Sequence, residues 1–117
     1  MSNRSLENLK VWQDSRIFVN LIYDLMQSCN DYGFRDQIQR AAVSIMNNIA
    51  EGFESGSDKM FVRYLNIAKA SCSEVRSMLY LCQDRRYCTE KEREYLHSCL
   101  LSVSSQIYKL SEYLGKK

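Results

Sequence analysis

Any chemistry in this chain has to be sought around a single histidine. His97 follows Glu94 by three residues, and an E-x-x-H pair on one helix is the unit that holds two metal ions inside helical bundles when two helices each supply one. Here the pair occurs once and the rest of such a ligand set is missing, so Glu94 and His97 are expected on an exposed polar face. Nucleophilic catalysis needs a serine or cysteine with a base poised beside it, which one histidine in a surface register does not supply. There is no G-x-G-x-x-G or G-x-x-x-x-G-K loop to cradle a phosphate. Glu51 and Glu74 can meet as a carboxylate pair between successive helices. The more economical reading has each accept hydrogen bonds from Arg, Asn or Ser neighbours, Arg40 among them. Asn48, Glu51, Ser73 and Glu74 are therefore read as a structural polar network, with Glu74 as a buried residue that sets register; Asn48 and Glu51 lining a site is the alternative. No catalytic, cofactor or metal residue is assigned, no small-molecule substrate is expected, and the chain reads as non-enzymatic.

The cationic residues are the other chemically active set. Arg35, Arg40, Lys59 and Arg63 fall on two successive helices and are the candidate phosphate contacts for RNA or a nucleoprotein partner. A solvated charged face is the plainer reading of the same residues. Further cations, including Lys10, Lys69, Arg76, Lys116 and Lys117, are scattered, and the net charge is only +2, which permits a local basic patch without announcing a nucleic-acid binder. Copies of the chain in an oligomer would multiply a weak patch into an extended one. Eight tyrosines can stack on bases, although tyrosine also suits half-buried helix faces.

These residues must be positioned by helices. The 117 residues include no proline and four glycines, 45% apolar and 26% charged residues, which suits one packed, all-α domain. Five cysteines, an odd number without a C-x-x-C pair or a secretory leader, point to a reducing cytoplasm; Cys72, Cys82 and Cys99 fall at apolar positions. No apolar run approaches the ~20 residues that span a bilayer, so no membrane partner is expected.

The periodicity predicts four helices, at about 10–29, 34–54, 58–85 and 90–114. The first carries a Val11, Phe18, Ile22, Leu25, Cys29 stripe with Trp12, Val19 and Met26 beside it, and Asn30-Asp31-Tyr32-Gly33 reverses the chain. The second faces Ile38, Ala42, Ile45 and Ile49 inward and closes near Gly52. Small and polar residues near its seam, such as Ala41, Ser44 and Asn48, suit close packing with a fixed register. Ser57-Asp58 reads as the cap of the third helix, whose seam is Phe61, Leu65, Ala68, Cys72, Val75, Leu79, Cys82. Thr89-x-x-Glu92 is a capping box for the fourth, with Leu96, Leu100, Val103, Ile107, Leu110 and Leu114 inward and Gly115 at a left-handed C-terminal position. Short connections make successive helices neighbours, an antiparallel up-down-up-down four-helix bundle.

The third helix carries a second row beside its seam: Met60, Tyr64, Ile67, Ser71, Glu74, Met78, Leu81. An apolar flank beyond what a bundle needs suits a subunit interface, so Met60, Tyr64, Ile67, Met78 and Leu81 are the candidate contacts of a homo-oligomer.

Three stretches carry a resemblance. They are Leu9-Lys10-Val11-Trp12-Gln13; Tyr32-Gly33-Phe34 with Gln37-Ile38-Gln39-Arg40-Ala41-Ala42-Val43-Ser44-Ile45 and Asn48-Ile49-Ala50-Glu51-Gly52-Phe53; and Phe61-Val62-Arg63-Tyr64-Leu65-Asn66-Ile67-Ala68 with Ser73-Glu74. Together they make the chain similar, over nearly its whole length, to the bacterial four helix bundle protein family. Its founding members are encoded in intervening sequences of large-subunit ribosomal RNA genes and have sometimes been labelled ribosomal proteins. The resemblance implies an antiparallel bundle that assembles as a ring-like homopentamer. A related branch looks like the accessory proteins of diversity-generating retroelements, which partner a reverse transcriptase and RNA, and this implies nucleic-acid contact without assigning residues here. Met46 stands where the family usually has proline, and Gln39 where arginine is common, which weakens a basic stripe on the second helix. The alternative function is a scaffold that binds only protein.

Overall fold

The computed structural model describes residues 5–116; Lys117, one of the lysines noted at the chain end, lies outside them. Among the described residues there are four long helices and no strand: α1 (Lys10–Met26), α2 (Tyr32–Phe53), α3 (Asp58–Asp84) and α4 (Glu90–Gly115), after a 3-10 turn at Leu6–Asn8. α1 packs on α2 and α4, and α3 packs on the same two, an arrangement consistent with a four-helix bundle. The molecule measures 47 × 23 × 22 Å, its length set by α3, whose 27 residues rise ~40 Å. No described helix is long and apolar enough to cross a membrane.

The core contains the inward residues expected for α2 and α3, except that Phe61 is half-buried. In α4 the row Leu96, Leu100, Val103, Ile107, Leu114 is buried, and Leu110 is half-buried. α1 is rotated slightly from expectation. Met26 rather than Leu25 is fully buried, and Ser15 occupies the missing core step between Val11 and Phe18. Its hydroxyl donates to the Trp12 carbonyl at 2.8 Å, which lets a polar group sit in the core without an unmet hydrogen bond.

Helix ends account for the differences in boundaries. α1 stops at Met26, three residues short of the expected end, because Cys29 turns back into the core and its N–H donates to the Met26 carbonyl. α2 starts two residues early because the Asp31 carboxylate accepts the Phe34 N–H at 3.2 Å, leaving Gly33 inside the first turn. Ser57 caps α3 through the Met60 N–H, and Thr89 and Glu92 complete their reciprocal box on α4. Gly115 is still helical; among the described residues the left-handed positions are Gly56, at φ 83° in the turn after α2, and Arg86, at φ 64° directly beyond α3. The Arg86 and Tyr87 N–H groups donate to the Gln83 and Cys82 carbonyls, which closes the helix as a Schellman motif. An L side chain at that φ carries a steric cost that glycine lacks. Arg86→Gly is accordingly expected to raise stability by about 0.5–1 kcal/mol, seen as a higher urea midpoint; an unchanged or lower midpoint counts against it.

The α1–α2 and α3–α4 turns meet at one end of the bundle. Tyr87 Oη donates to Asp31 at 2.6 Å, and its ring packs on Phe34 at 5.3 Å between centroids. The Tyr87 hydrogen bond, then the Phe34 N–H, hold the Asp31 carboxyl below its ordinary 3.8, and the same bond raises the Tyr87 phenol above its ordinary 10.0. A lowered carboxylate pKa gives stability that is present above the unfolded value and lost as pH falls through the folded one; the raised phenol loses its contribution as pH climbs past about 10. Tyr87→Phe should therefore lower Tm across the neutral range, and the difference from the parent should vanish in strong acid. A Tm difference that stays constant down to pH 2 would contradict the latch.

Candidate functional site

The α2–α3 seam holds a polar network, but not the expected one. Ser44 Oγ and Ser71 Oγ lie 2.9 Å apart across the seam, and Asn48 Nδ2 donates to the Ser44 carbonyl at 2.8 Å and to Ser44 Oγ at 3.0 Å. Asn48 belongs to it as expected. Glu51, Ser73 and Glu74 do not: all three are exposed. Ser73 donates back to its own helix at Lys69, and Glu74 is reached from α2 only by Gln37, at 3.5 Å. The physical reason is desolvation. Neutral hydroxyls and an amide satisfy one another between closely approaching backbones, whereas a buried carboxylate would need a cationic partner the seam does not offer. Ser71, a polar step within the second row of α3, is the sequence signal for this partner.

Ser44 and Asn48 of that network also line an open groove of about 790 Å³ along α2, together with Tyr23, Arg40, Glu51 and Tyr64 among others. Arg40 and Glu51 thus share a groove rather than a bond. Among the described residues neither has an ion-pair partner.

The four candidate phosphate contacts do not converge. α2 and α3 touch at Gln37 with Glu74, at Ser44 with Ser71, and at Gly52 against Phe61 and Tyr64. Arg35 therefore sits toward one end of this pair of helices and Lys59 and Arg63 at the other. Arg35 is held over the Tyr32 ring, 6.0 Å from its centroid. The correction follows from counting along a rigid rod: sequence closeness across a turn does not bring the far ends of two helices together. Along α3, Lys59, Arg63, Lys69 and Arg76 are all exposed over a rise of ~25 Å, the first two on one flank and the last two on the face toward α4. None of the four forms an ion pair among the described residues.

Beside that face, between α3 and α4, runs a groove of about 460 Å³. His97 is half-buried here rather than on an open polar face. Its Nδ1 lies 3.1 Å from Arg93 Nη1, which can only donate, so Nδ1 accepts; Nε2 then carries the proton and donates to the Arg76 carbonyl at 3.0 Å. The histidine is a bracket between two helices. Its ring packs on Tyr80 at 4.6 Å, and Arg93 lies over the Tyr80 ring at 4.9 Å. Further along, Lys69 Nζ lies 4.9 Å above the Tyr108 ring.

The second row of α3 divides between core and surface. Met78 is only 8% exposed and belongs to the protomer's own core, which corrects its assignment to an outward flank; Tyr64 is half-buried against α2. Met60, Ile67 and Leu81 remain exposed, the last two at 49% and 47%. Ile17 on α1 and Leu101 on α4 are exposed as well, and composition alone does not single them out because each lies off its helix's apolar stripe.

A family model described as 23S rRNA-intervening sequence protein matches residues 7–109. The chain belongs to this family. Among solved structures, one from Bacteroides thetaiotaomicron VPI-5482, described as a protein with unknown function from the S23 ribosomal protein family, is similar to it. The two are 25% identical, with 86% of this chain and 97% of that one covered and a TM-score of 0.79. No curated protein matches.

In this intervening-sequence family member three of the five thiols are chemically quiet. Burial pushes Cys72 up to about 12 and also raises Cys82 and Cys88, which keeps all three protonated. Among the described residues no group of three His, Cys, Asp or Glu side chains is placed to hold a metal ion. The geometry instead offers four exposed α3 cations without an ion pair among the described residues, of which Lys69 lies over the Tyr108 ring.

Proposed function

We propose that this protein is a non-enzymatic, oligomeric helical bundle of the cytoplasm that associates with RNA or a nucleoprotein complex through phosphate contacts. The observation that carries the reading is the set of four exposed α3 cations without an ion pair among the described residues, Lys59 with Arg63 on one flank and Lys69 with Arg76 on the flank toward α4. Cations spaced along a straight rod neutralise successive phosphates without reading sequence. The antiparallel up-down-up-down arrangement belongs to the same proposal, supported by contacts that run in opposite senses along neighbouring helices: Gln37 with Glu74, Ser44 with Ser71, and then Arg93 with Gln83, His97 with Arg76. Exposed Met60, Ile67 and Leu81 support self-association, and the family resemblance points to a pentamer. Five unpaired thiols suit a reducing compartment.

The test is titration of a structured RNA over a range of salt. Four phosphate contacts per engaged protomer should give a slope of log affinity against log salt of about −3. The quadruple variant Lys59→Glu, Arg63→Glu, Lys69→Glu, Arg76→Glu should lose binding at all salts while keeping its helical content. If wild type fails to bind at low salt, the RNA reading is lost and the protein-only scaffold stands. In light scattering, a mass equal to the 13.7 kDa of one chain would remove the oligomer.

A further inference from the structure

We infer that the α3–α4 groove is a stacking site for single-stranded RNA, so that the protein prefers unpaired segments to duplex. The inference rests on the RNA reading above and adds the form of RNA that is recognised.

Two rows of side chains with the same 4-3-4 spacing run along this groove and continue past one end of it. On α3 they are Lys69, Ser73, Arg76 and Tyr80; on α4 they are His97, Leu101, Ser104 and Tyr108. That spacing keeps each row on one helix face. The rows run in opposite senses, with Lys69 over Tyr108 at one end and Tyr80 against His97 at the other. Within the groove Tyr80 stands beside Arg76 and under Arg93, which is itself 4.0 Å from Glu90; past its other end the same two rows bring Lys69 over Tyr108. Tyr80 and Tyr108 are 49% and 52% exposed, although a ring with only a structural role would be expected to turn further into the apolar seam. Eleven residues separate the positions of His97 and Tyr108 on α4, a rise of ~16 Å that a few nucleotides can bridge.

Aromatic rings with adjacent cations are the parts of a single-strand site: a base lies on the ring and its phosphate meets the charge. A duplex can use only the charges, because its base faces are engaged in their own stack. The hydroxyls of Ser73 and Ser104 and the exposed Leu101 offer ribose and base-edge contacts, and Glu94, which also lines the groove, repels phosphate on the α4 side while its carboxylate can accept from a ribose hydroxyl or a base amino group.

The experiment is fluorescence anisotropy with the full chain, using a labelled unstructured RNA of about 12 nucleotides and the duplex of the same sequence. At one salt concentration the single strand is expected to bind at least tenfold more tightly. Tyr80→Ala with Tyr108→Ala should weaken single-strand binding by about tenfold or more and leave duplex binding unchanged. Tyr80→Phe with Tyr108→Phe should retain wild-type affinity, since a phenyl ring still stacks. Equal affinity for the two RNAs, or an alanine pair that binds the single strand as wild type does, overturns the stacking site while the phosphate reading survives. Binding of neither RNA at low salt overturns both.

Discussion

Phe18→Ala is expected to lower the free energy of unfolding by about 3–5 kcal/mol, the largest effect of any single truncation considered. Phe18 is 1% exposed at the middle of α1, next to Ile22 and one turn after the internally bonded Ser15. Removing its ring takes away the buried apolar surface and leaves a hole that the surrounding helices can fill only partly. Since a domain of this size has a total stability of about 5–15 kcal/mol, the variant should melt well below the parent, by roughly 10–20 °C. Urea unfolding followed by circular dichroism measures the difference. A loss under about 1 kcal/mol would mean that α1 is not packed as described.

Gly52→Leu should cost nearly as much, about 3 kcal/mol, for the opposite reason. Gly52 is buried within α2, where glycine is ordinarily a poor helix residue and replacement by alanine gains up to about 1 kcal/mol. Here a Cβ would lie 2.7 Å from Phe61 Cδ1, 3.0 Å from Tyr64 Cβ and 3.2 Å from the Phe61 carbonyl oxygen. The Phe61 ring can swing aside, but Tyr64 Cβ and the Phe61 carbonyl are fixed to the α3 backbone, so the helices themselves must separate. Gly52→Ala is expected to lose about 1–2 kcal/mol net of its propensity gain, and leucine more. The urea midpoint should fall in that order, glycine, alanine, leucine; an alanine variant more stable than the parent would show that α2 and α3 do not approach this closely.

The Gly52 contact also bears on assembly. Separating α2 from α3 would shift Tyr64 and the exposed Met60 and Ile67 beside it. Gly52→Leu is thus a poor probe of the oligomer, because any change in mass would follow from the altered seam. Substitution of Ile67 or Leu81 by lysine disturbs the surface alone.

The amino-acid sequence by itself determined the four helices, the inward faces of α2, α3 and α4, and the caps at Ser57 and Thr89. Those features depend on residues within one or two turns of each other: the 3.6-residue repeat of apolar side chains and the hydrogen bonds a hydroxyl or carboxylate makes to the next turn. It also carried the family resemblance, which the match over residues 7–109 establishes. Tertiary structure alone decided what depends on the level at which two helices pass. It put Ser71 against Ser44 and left Glu74 in water, and it aligned Lys69 with Tyr108 and Arg76 with His97. The physical reason is that periodicity specifies rotation about a helix axis but not translation along it. Translation is settled by which small residues allow close approach and which polar atoms find partners there, and in this protein Gly52 and the Ser44–Ser71 bond do both.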